Sequence, residues 1–401
     1  MRSPRVFVSA GEPSGDRYGA AFVAALRERV PGASFAGLGG PEMAAAGVRC
    51  LAGIDRLAVV GFVEVVRHLP FFWRLRARVV RELEAWRPDL VVAIDYPGFN
   101  LWLVRAARAR GARILYYVAP QVWAWRWRRV RTLARCADVV AVVFPFEEPL
   151  LRNAGVRARF VGHPLVETAA SWPEPEVARD RLGFPRDGPL LGLFPGSRPG
   201  EVRRLLRPFL AAAELLRRRY PGLALAVARP REMEPELYRG LDLPVVDDAA
   251  ALLRASTAAL VKSGTTTVEA ALAGTPMVVA YRVHPLTYRI ARRLVRVPHI
   301  AMVNLLAGRG IVPEFVQDAV RPDRMAEALA PLLDPDSEVR RSMLEALGGV
   351  RRALAGGEGS EEGTAGTPAR GRTASQRVAE LAGELLAAHV SARDAWARTS
   401  T

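Results

Sequence analysis

Short apolar runs alternate along the chain with longer segments in which apolar residues recur every three or four positions. The runs Arg5–Ser9, Ser34–Leu38, Leu90–Ile94, Arg113–Val118 and Val139–Val143 are rich in valine, isoleucine and leucine and lack strict alternation. A strand covered on both faces has this pattern, because neither face has to meet water. After a proline-rich break the pattern returns in Leu190–Phe194, Leu223–Ala228, Ala258–Val261 and Met277–Tyr281. Between the runs, the spacing predicts amphipathic helices over Tyr18–Val30, Leu101–Arg110 and Val202–Arg219. Such alternation predicts an α/β chain built as two doubly wound halves with parallel sheets.

Turn-forming residues cluster at Trp172-Pro-Glu-Pro175 and Pro185-Arg-Asp-Gly188. The expected domains are therefore residues 1–168 and 169–354. Ala355–Ser375, rich in Gly, Ala, Ser, Thr and Glu, reads as a flexible linker (355–375). The remaining segment, 376–401, holds a last helix over Gln376–Val390 and a tail. The 401 residues, half of them apolar, suffice for two cores. Ligands of open α/β sheets bind beyond the carboxyl ends of the strands, so a cleft between the halves is expected.

The formal net charge of +16 calls for an anionic partner: nucleic acid, a membrane face or a phosphorylated substrate. The only lysine is Lys262; every other basic residue is arginine, histidine apart. Cys50 and Cys136 stand far apart, in neither a CxxC pair nor a metal-ligand cluster, so a reducing cytoplasm is expected. No secretory apolar segment opens the chain. No run reaches the roughly 18 apolar residues of a spanning helix, so attachment to a membrane would be peripheral.

Four loops carry candidate chemistry. Ser9-Ala-Gly-Glu-Pro-Ser-Gly-Asp16 follows the first strand; its small residues allow a ligand close to the backbone, and Ser14, Gly15 and Asp16 open a helix. Neither it nor Gly37-Leu-Gly-Gly40 has GxGxxG spacing, and a tight structural turn explains either as readily. Asp95 in Asp95-Tyr-Pro-Gly-Phe-Asn100 ends a strand, where a carboxylate can take a proton; equally, it can cap the next helix. In Pro195-Gly-Ser-Arg-Pro-Gly-Glu201, Gly196 frees the backbone while Ser197 and Arg198 offer donors to a diphosphate. In Lys262-Ser-Gly-Thr-Thr-Thr-Val-Glu269, Ser263, Gly264 and Thr265 present amides and hydroxyls, and Glu269 can clamp ribose hydroxyls. A plain Ser/Thr cap is the structural alternative there. His163 reads as a hinge or core residue as readily as a ligand contact. The one Asp-x-Asp, Asp334-Pro-Asp336, is poorly placed for a metal-nucleotide site, so neither a metal nor a cofactor is expected.

Leu57–Trp86 mixes Phe62, Val65, Val66, Leu69, Phe71, Phe72 and Leu75 with arginines; it suits a helix at an anionic lipid interface or a core helix with a basic outer face. Gln121–Arg131 interleaves tryptophan with arginine, and His284–Val297 also has a basic side.

Taken in order, these loops, with Tyr117-Val-Ala-Pro-Gln-Val-Trp-Ala-Trp125, Phe144-Pro-Phe-Glu147, Phe160-Val-Gly-His-Pro164 and Asn304-Leu-Leu306, resemble the lipid-A-disaccharide synthases. Pro13 and Lys262 depart from the family pattern. The resemblance implies a GT-B glycosyltransferase of two Rossmann-like domains with C-terminal helices. It implies transfer, with inversion, of 2,3-diacylglucosamine from UDP to 2,3-diacylglucosamine 1-phosphate (lipid X), forming a β-1,6 link. It assigns Asp95 as base, Ser197, Arg198, Glu269 and Asn304 to UDP, and the 57–75 region to docking on the inner membrane. It also implies a cytoplasmic, peripherally attached enzyme that can form homodimers with exchanged C-terminal segments. The rival readings are another GT-B sugar-nucleotide enzyme, such as a UDP-N-acetylglucosamine epimerase or a peptidoglycan glycosyltransferase, and a basic nucleic-acid-binding protein. Its phosphate-binding loops argue against a nucleic-acid partner.

Overall fold

A computed structural model describes residues 3–54, 57, 69–120, 128–231, 233–285, 288–289, 298–356 and 371–399; the side chains of residues 69, 128 and 390–399 are not described. The chain forms two compact units, Met1–Pro164 with Ala355–Thr401, and Leu165–Leu354. The division after Pro164 lies slightly before the expected boundary at 168, and the C-terminal segment rejoins the first unit.

In the first unit, seven parallel strands form one sheet: β1 (Arg5–Ser9), β2 (Ser34–Leu38), β3 (Arg49–Ala52), β4 (Leu90–Ile94), β5 (Arg113–Tyr117), β6 (Val139–Val142) and β7 (Ala158–Phe160). Their order is β3–β2–β1–β4–β5–β6–β7. The chain leaves β1 on one side towards β2 and returns on the other as β4, with Val6 beside Leu90 and Ser9 beside Ala93. Loops diverge at that reversal and leave a crevice at the strand ends. Every residue of β4 is buried, as its uninterrupted apolar run requires.

Helices α1 (Pro13–Arg29), α2 (Pro41–Ala45), α3 (Leu69–Trp86), α4 (Pro97–Arg108) and α5 (Arg128–Cys136) belong to this unit. Pro13 starts α1, where its missing N–H costs nothing, and Arg27 and Arg29 lie at the negative end of the helix dipole. Leu75, Val79 and Leu83 of α3 enter the core at helical spacing.

The second unit has six parallel strands: β8 (Leu190–Phe194), β9 (Ala224–Ala228), β10 (Val245–Val246), β11 (Ala258–Lys262), β12 (Met277–Tyr281) and β13 (Glu314–Val316). Their order, β10–β9–β8–β11–β12–β13, reverses between β8 and β11 as the first sheet does between β1 and β4. Helices α6 (Pro199–Arg219), α7 (Thr265–Ala273), α8 (Met302–Ala307) and α9 (Glu338–Ala355) belong largely to this unit.

Helix α10 (Ala374–Thr399) lies against α1. Its Val378, Ala379, Ala382 and Leu386 are buried, one stripe at helical spacing. Arg377 donates to the Val161 carbonyl at 3.0 Å and to that of Ala355 at 3.1 Å. The segment expected to be a linker begins inside α9, and residues 357–370 lie outside the described residues. Among the described residues, no helix is long and apolar enough to cross a membrane.

Candidate active site

Asp95 stands at the carboxyl end of β4, at the reversal of the first sheet. Its backbone is held from several sides. Its N–H donates to the Tyr117 carbonyl at 2.9 Å, and its own carbonyl accepts from Asn100 Nδ2 at 2.9 Å and from the Tyr116 hydroxyl at 2.7 Å. Asp95 and Tyr96 both adopt left-handed backbone, with φ of 44° and 45°, and Val118 at the end of β5 has φ 60°. Left-handed geometry costs roughly 1–2 kcal/mol per non-glycine residue, and valine adopts it rarely. Strain of this kind persists only where surrounding contacts over-determine it, and it concentrates at functional sites.

Asn100 supplies much of that determination. It is fully buried on α4, accepts the Ser9 hydroxyl at 2.7 Å, and donates to the carbonyls of Ile94 at 3.0 Å and Ser9 at 3.3 Å as well as to Asp95. One amide thus links the ends of β1 and β4. Gly11 completes the clamp: a Cβ there would stand 2.3 Å from the Tyr96 ring. The Tyr96 hydroxyl donates to the Leu57 carbonyl at 2.7 Å.

Burial, and then the charge of Glu12, push the Asp95 carboxyl up to about 6, against a smaller opposing effect of the Tyr96 N–H. The same two causes raise the Tyr96 phenol to about 12. A carboxylate poised near neutrality, half-buried at a strand end, suits a general base. His163 is buried with its ring 5.2 Å from that of Phe144, and burial lowers it to about 4, so it is neutral at ordinary pH.

The first loop divides between surface and scaffold. Ser14 is half-buried at the start of α1. A Cβ on Gly15 would meet the Ala10 side chain at 3.2 Å, so this glycine serves helix–strand packing. Asp16 is buried, and its carboxylate accepts from the N–H groups of Gly40 at 2.7 Å, Glu42 at 3.0 Å and Met43 at 3.1 Å. It caps α2.

In the second unit, the loop after β8 and the loop after β11 stand at the reversal of the sheet. Gly196 has φ 130°, Ser197 and Arg198 are exposed, and Arg198 is the residue before α6. Glu201, in the first turn of α6, accepts the Ser197 N–H at 3.1 Å and pairs with Lys262 Nζ at 2.8 Å. Gly264 and Thr265 are exposed at the start of α7, and Glu269 is half-buried further along it. Two helix N-termini therefore meet the strand ends, and the positive ends of their dipoles suit anions.

Ser263 and Asn304 bond to neighbouring backbone within the unit. The Ser263 hydroxyl donates to the Ile300 carbonyl at 2.7 Å. Asn304 is buried; its Oδ1 accepts from Ile311 and Val312, and its Nδ2 donates to the Val312 carbonyl and to Glu314 Oε1. The Asn304 side chain thus ties α8 to the approach to β13.

Of the residues expected to dock on lipid, Phe62, Val65, Val66 and the Leu69 side chain lie outside the described residues. Leu75 belongs to the core, and Phe71 and Phe72 pack partly against it. The outer face of α3 is instead Trp73, 69% exposed, with Arg74, Arg78 and Arg81. The segments 121–127 and 290–297 also lie outside the described residues. Among the described residues no group of three His, Cys, Asp or Glu side chains is placed to hold a metal ion.

Sequence reasoning did not assign Asn100, Tyr96, Tyr116, Glu12, Glu201 or Glu314. Asn100 and Tyr96 lie inside a loop already singled out, five residues and one residue after Asp95; nothing in the local sequence points to Tyr116, which reads as ordinary strand.

Two parallel α/β units, each reversing its strand order within the sheet, define the two-Rossmann fold seen in glycosyltransferases and epimerases. The fold is shared with a UDP-N-acetylglucosamine 2-epimerase from Listeria monocytogenes, described as putative (TM-score 0.60, 14% identity, 88% of this chain and 94% of that one). It is shared also with the glycosyltransferase of kitacinnamycin (TM-score 0.60, 17% identity, 96% of this chain and 100% of that one). Residues 6–348 match the model of the lipid-A-disaccharide synthetase family, and the chain belongs to that family. The lipid-A-disaccharide synthase of Pseudomonas aeruginosa PAO1 is 44% identical over 358 residues, which are 87% of this chain and 94% of that protein. That of Geobacter metallireducens is 40% identical over 364 residues, 89% and 94% of the two chains.

Proposed function

We propose that the chain transfers 2,3-diacylglucosamine from UDP to the 6-hydroxyl of 2,3-diacylglucosamine 1-phosphate, with inversion, releasing UDP and the lipid A disaccharide 1-phosphate. The observation that carries the chemical reading is Asp95, a carboxyl raised to about 6 on a backbone clamped at the β4 end. Asp95 takes the acceptor's proton as its oxygen attacks the anomeric carbon, and the bond to the UDP oxygen breaks in the same displacement. The second unit holds UDP. Arg198 and the positive dipole ends at the starts of α6 and α7 receive the charge that develops on the leaving diphosphate. Glu269 stands within the same helix to take ribose hydroxyls.

Both substrates are lipids, so the first unit works at an anionic membrane surface. Trp73 beside Arg74, Arg78 and Arg81 on one face of α3 supports that reading: an aromatic side chain seats among headgroups while guanidinium groups meet phosphates.

The decisive experiment incubates the protein with UDP-2,3-diacylglucosamine and 2,3-diacylglucosamine 1-phosphate, with and without chelator, and follows the lipid by mass spectrometry. A disaccharide 1-phosphate formed at the same rate in both is the expected result. Turnover of unacylated UDP-N-acetylglucosamine alone would replace this reading with an epimerase.

A further inference from the structure

We propose that Lys262 is a ligand of the donor diphosphate and that Glu201 holds its place until the nucleotide arrives, an inference that rests on the second unit being the UDP site. Lys262 is the sole lysine of the chain, and it ends β11 at the reversal of the second sheet. Its ammonium lies 2.8 Å from Glu201 Oε1, while Glu201 Oε2 accepts the Ser197 N–H at 3.1 Å. One carboxylate therefore receives an ammonium from the end of β11 and an amide from the loop after β8, the two kinds of donor that a phosphate oxygen takes.

The loop is shaped around that carboxylate: a Cβ on Gly196 would stand 2.6 Å from Glu201 Oε2. Neither side chain is sealed off, with exposures of 18% for Lys262 and 16% for Glu201. The Tyr281 ring centroid is 5.8 Å from Lys262 Nζ. Burial and then Glu201 raise the Tyr281 phenol, while Arg198 opposes them, so the charges of Glu201 and Arg198 both reach this spot.

A neutral ammonium–carboxylate pair does little for a leaving diphosphate. Once Glu201 turns aside, the positive charge faces the phosphates. Lysine suits the exchange better than arginine, because a compact ammonium on a flexible stem trades one oxygen for another without matching a planar fork.

The test measures UDP affinity by calorimetry on the full chain for wild type and for Lys262→Met, Lys262→Arg, Glu201→Gln and Arg198→Ala, with melting curves for each. Lys262→Met is expected to weaken UDP binding about tenfold or more, and Lys262→Arg less. Glu201→Gln, which keeps an acceptor for the Ser197 amide but loses the competing charge, is expected to tighten it several-fold. In wild type, amine acylation read by peptide mass spectrometry is expected to mark Lys262 and to be suppressed by UDP, a result that needs no variant to fold. Glu201→Gln binding UDP no better than wild type, or acylation indifferent to UDP, overturns the proposal and leaves a structural ion pair. If Arg198→Ala weakens UDP while Lys262→Met does not, this inference fails and the UDP site stands; if wild type does not bind UDP, both fail.

Discussion

The Ser9 hydroxyl donates to Asn100 Oδ1 at 2.7 Å, joining the end of β1 to the helix that follows β4. The same side chain fixes the Asp95 carbonyl through Nδ2. Asn100→Ala leaves the Ser9 hydroxyl and several buried carbonyls unsatisfied. It is expected to cost about 1–3 kcal/mol of stability. It should also lower kcat more than it raises the KM for acceptor, because Asp95 loses its mooring; unfolding curves with steady-state kinetics check both.

Asp95→Asn should abolish transfer and keep UDP affinity near wild type, as measured by product analysis beside calorimetry. Turnover close to wild type would remove Asp95 as the base.

The pH dependence follows from the sign of the shift. Folding favours the protonated form of Asp95, whose carboxyl is raised from 3.8 to about 6. Its contribution to stability is therefore present below about pH 4 and is lost as pH rises through about 6, while the catalytic base appears over the same rise. Activity should climb through about pH 6. Asp95→Asn should be more stable than wild type at pH 8, by an amount on the order of 2 kcal/mol, and by little at pH 4.

Gly11→Ala forces a methyl group into the Tyr96 ring, at 2.3 Å in the present geometry. A clash with a ring on left-handed backbone displaces Tyr96 and with it Asp95. A loss of several kcal/mol is not needed to see the effect: overpacking typically costs about 1–3 kcal/mol. The double variant Gly11→Ala/Tyr96→Ala should regain part of the stability but not the activity, read by melting and by product formation.

Leu386→Ala opens a cavity where α10 meets the first unit. A destabilisation of about 2–5 kcal/mol is expected. The first unit should melt earlier while UDP affinity of the second changes little; a simultaneous loss of UDP binding would contradict the division at Pro164 and Ala355.

Residues buried on both faces write their position into local composition, so β1, β2, β4, β5 and β6, and β8, β9, β11 and β12, stood out in the sequence as apolar runs. The strands that escaped, β3, β7, β10 and β13, are the edges of the two sheets. They are short and partly exposed, and an edge strand needs neither the length nor the uniform apolarity of a central one. Loops carrying Asp95, Arg198 and Gly264 were legible for a related reason: glycine, proline and charge directly after an apolar run have few structural uses in common.

Which polar residue of a loop faces a ligand and which serves the scaffold was decided only by tertiary structure. Asp16 and Asn304 have the chemistry of ligand contacts, yet the fold brings unpaired backbone groups to them from α2 and from the residues before β13, and buried polar groups must be satisfied before anything else. Lys262 and Glu201 are 61 residues apart, and only a sheet that reverses between β8 and β11 sets them side by side. Local pattern thus determined the two-sheet architecture and the address of each loop, because periodicity and burial are local in sequence. Partner choice among polar groups is a property of distance in space, and it arrived only with the fold.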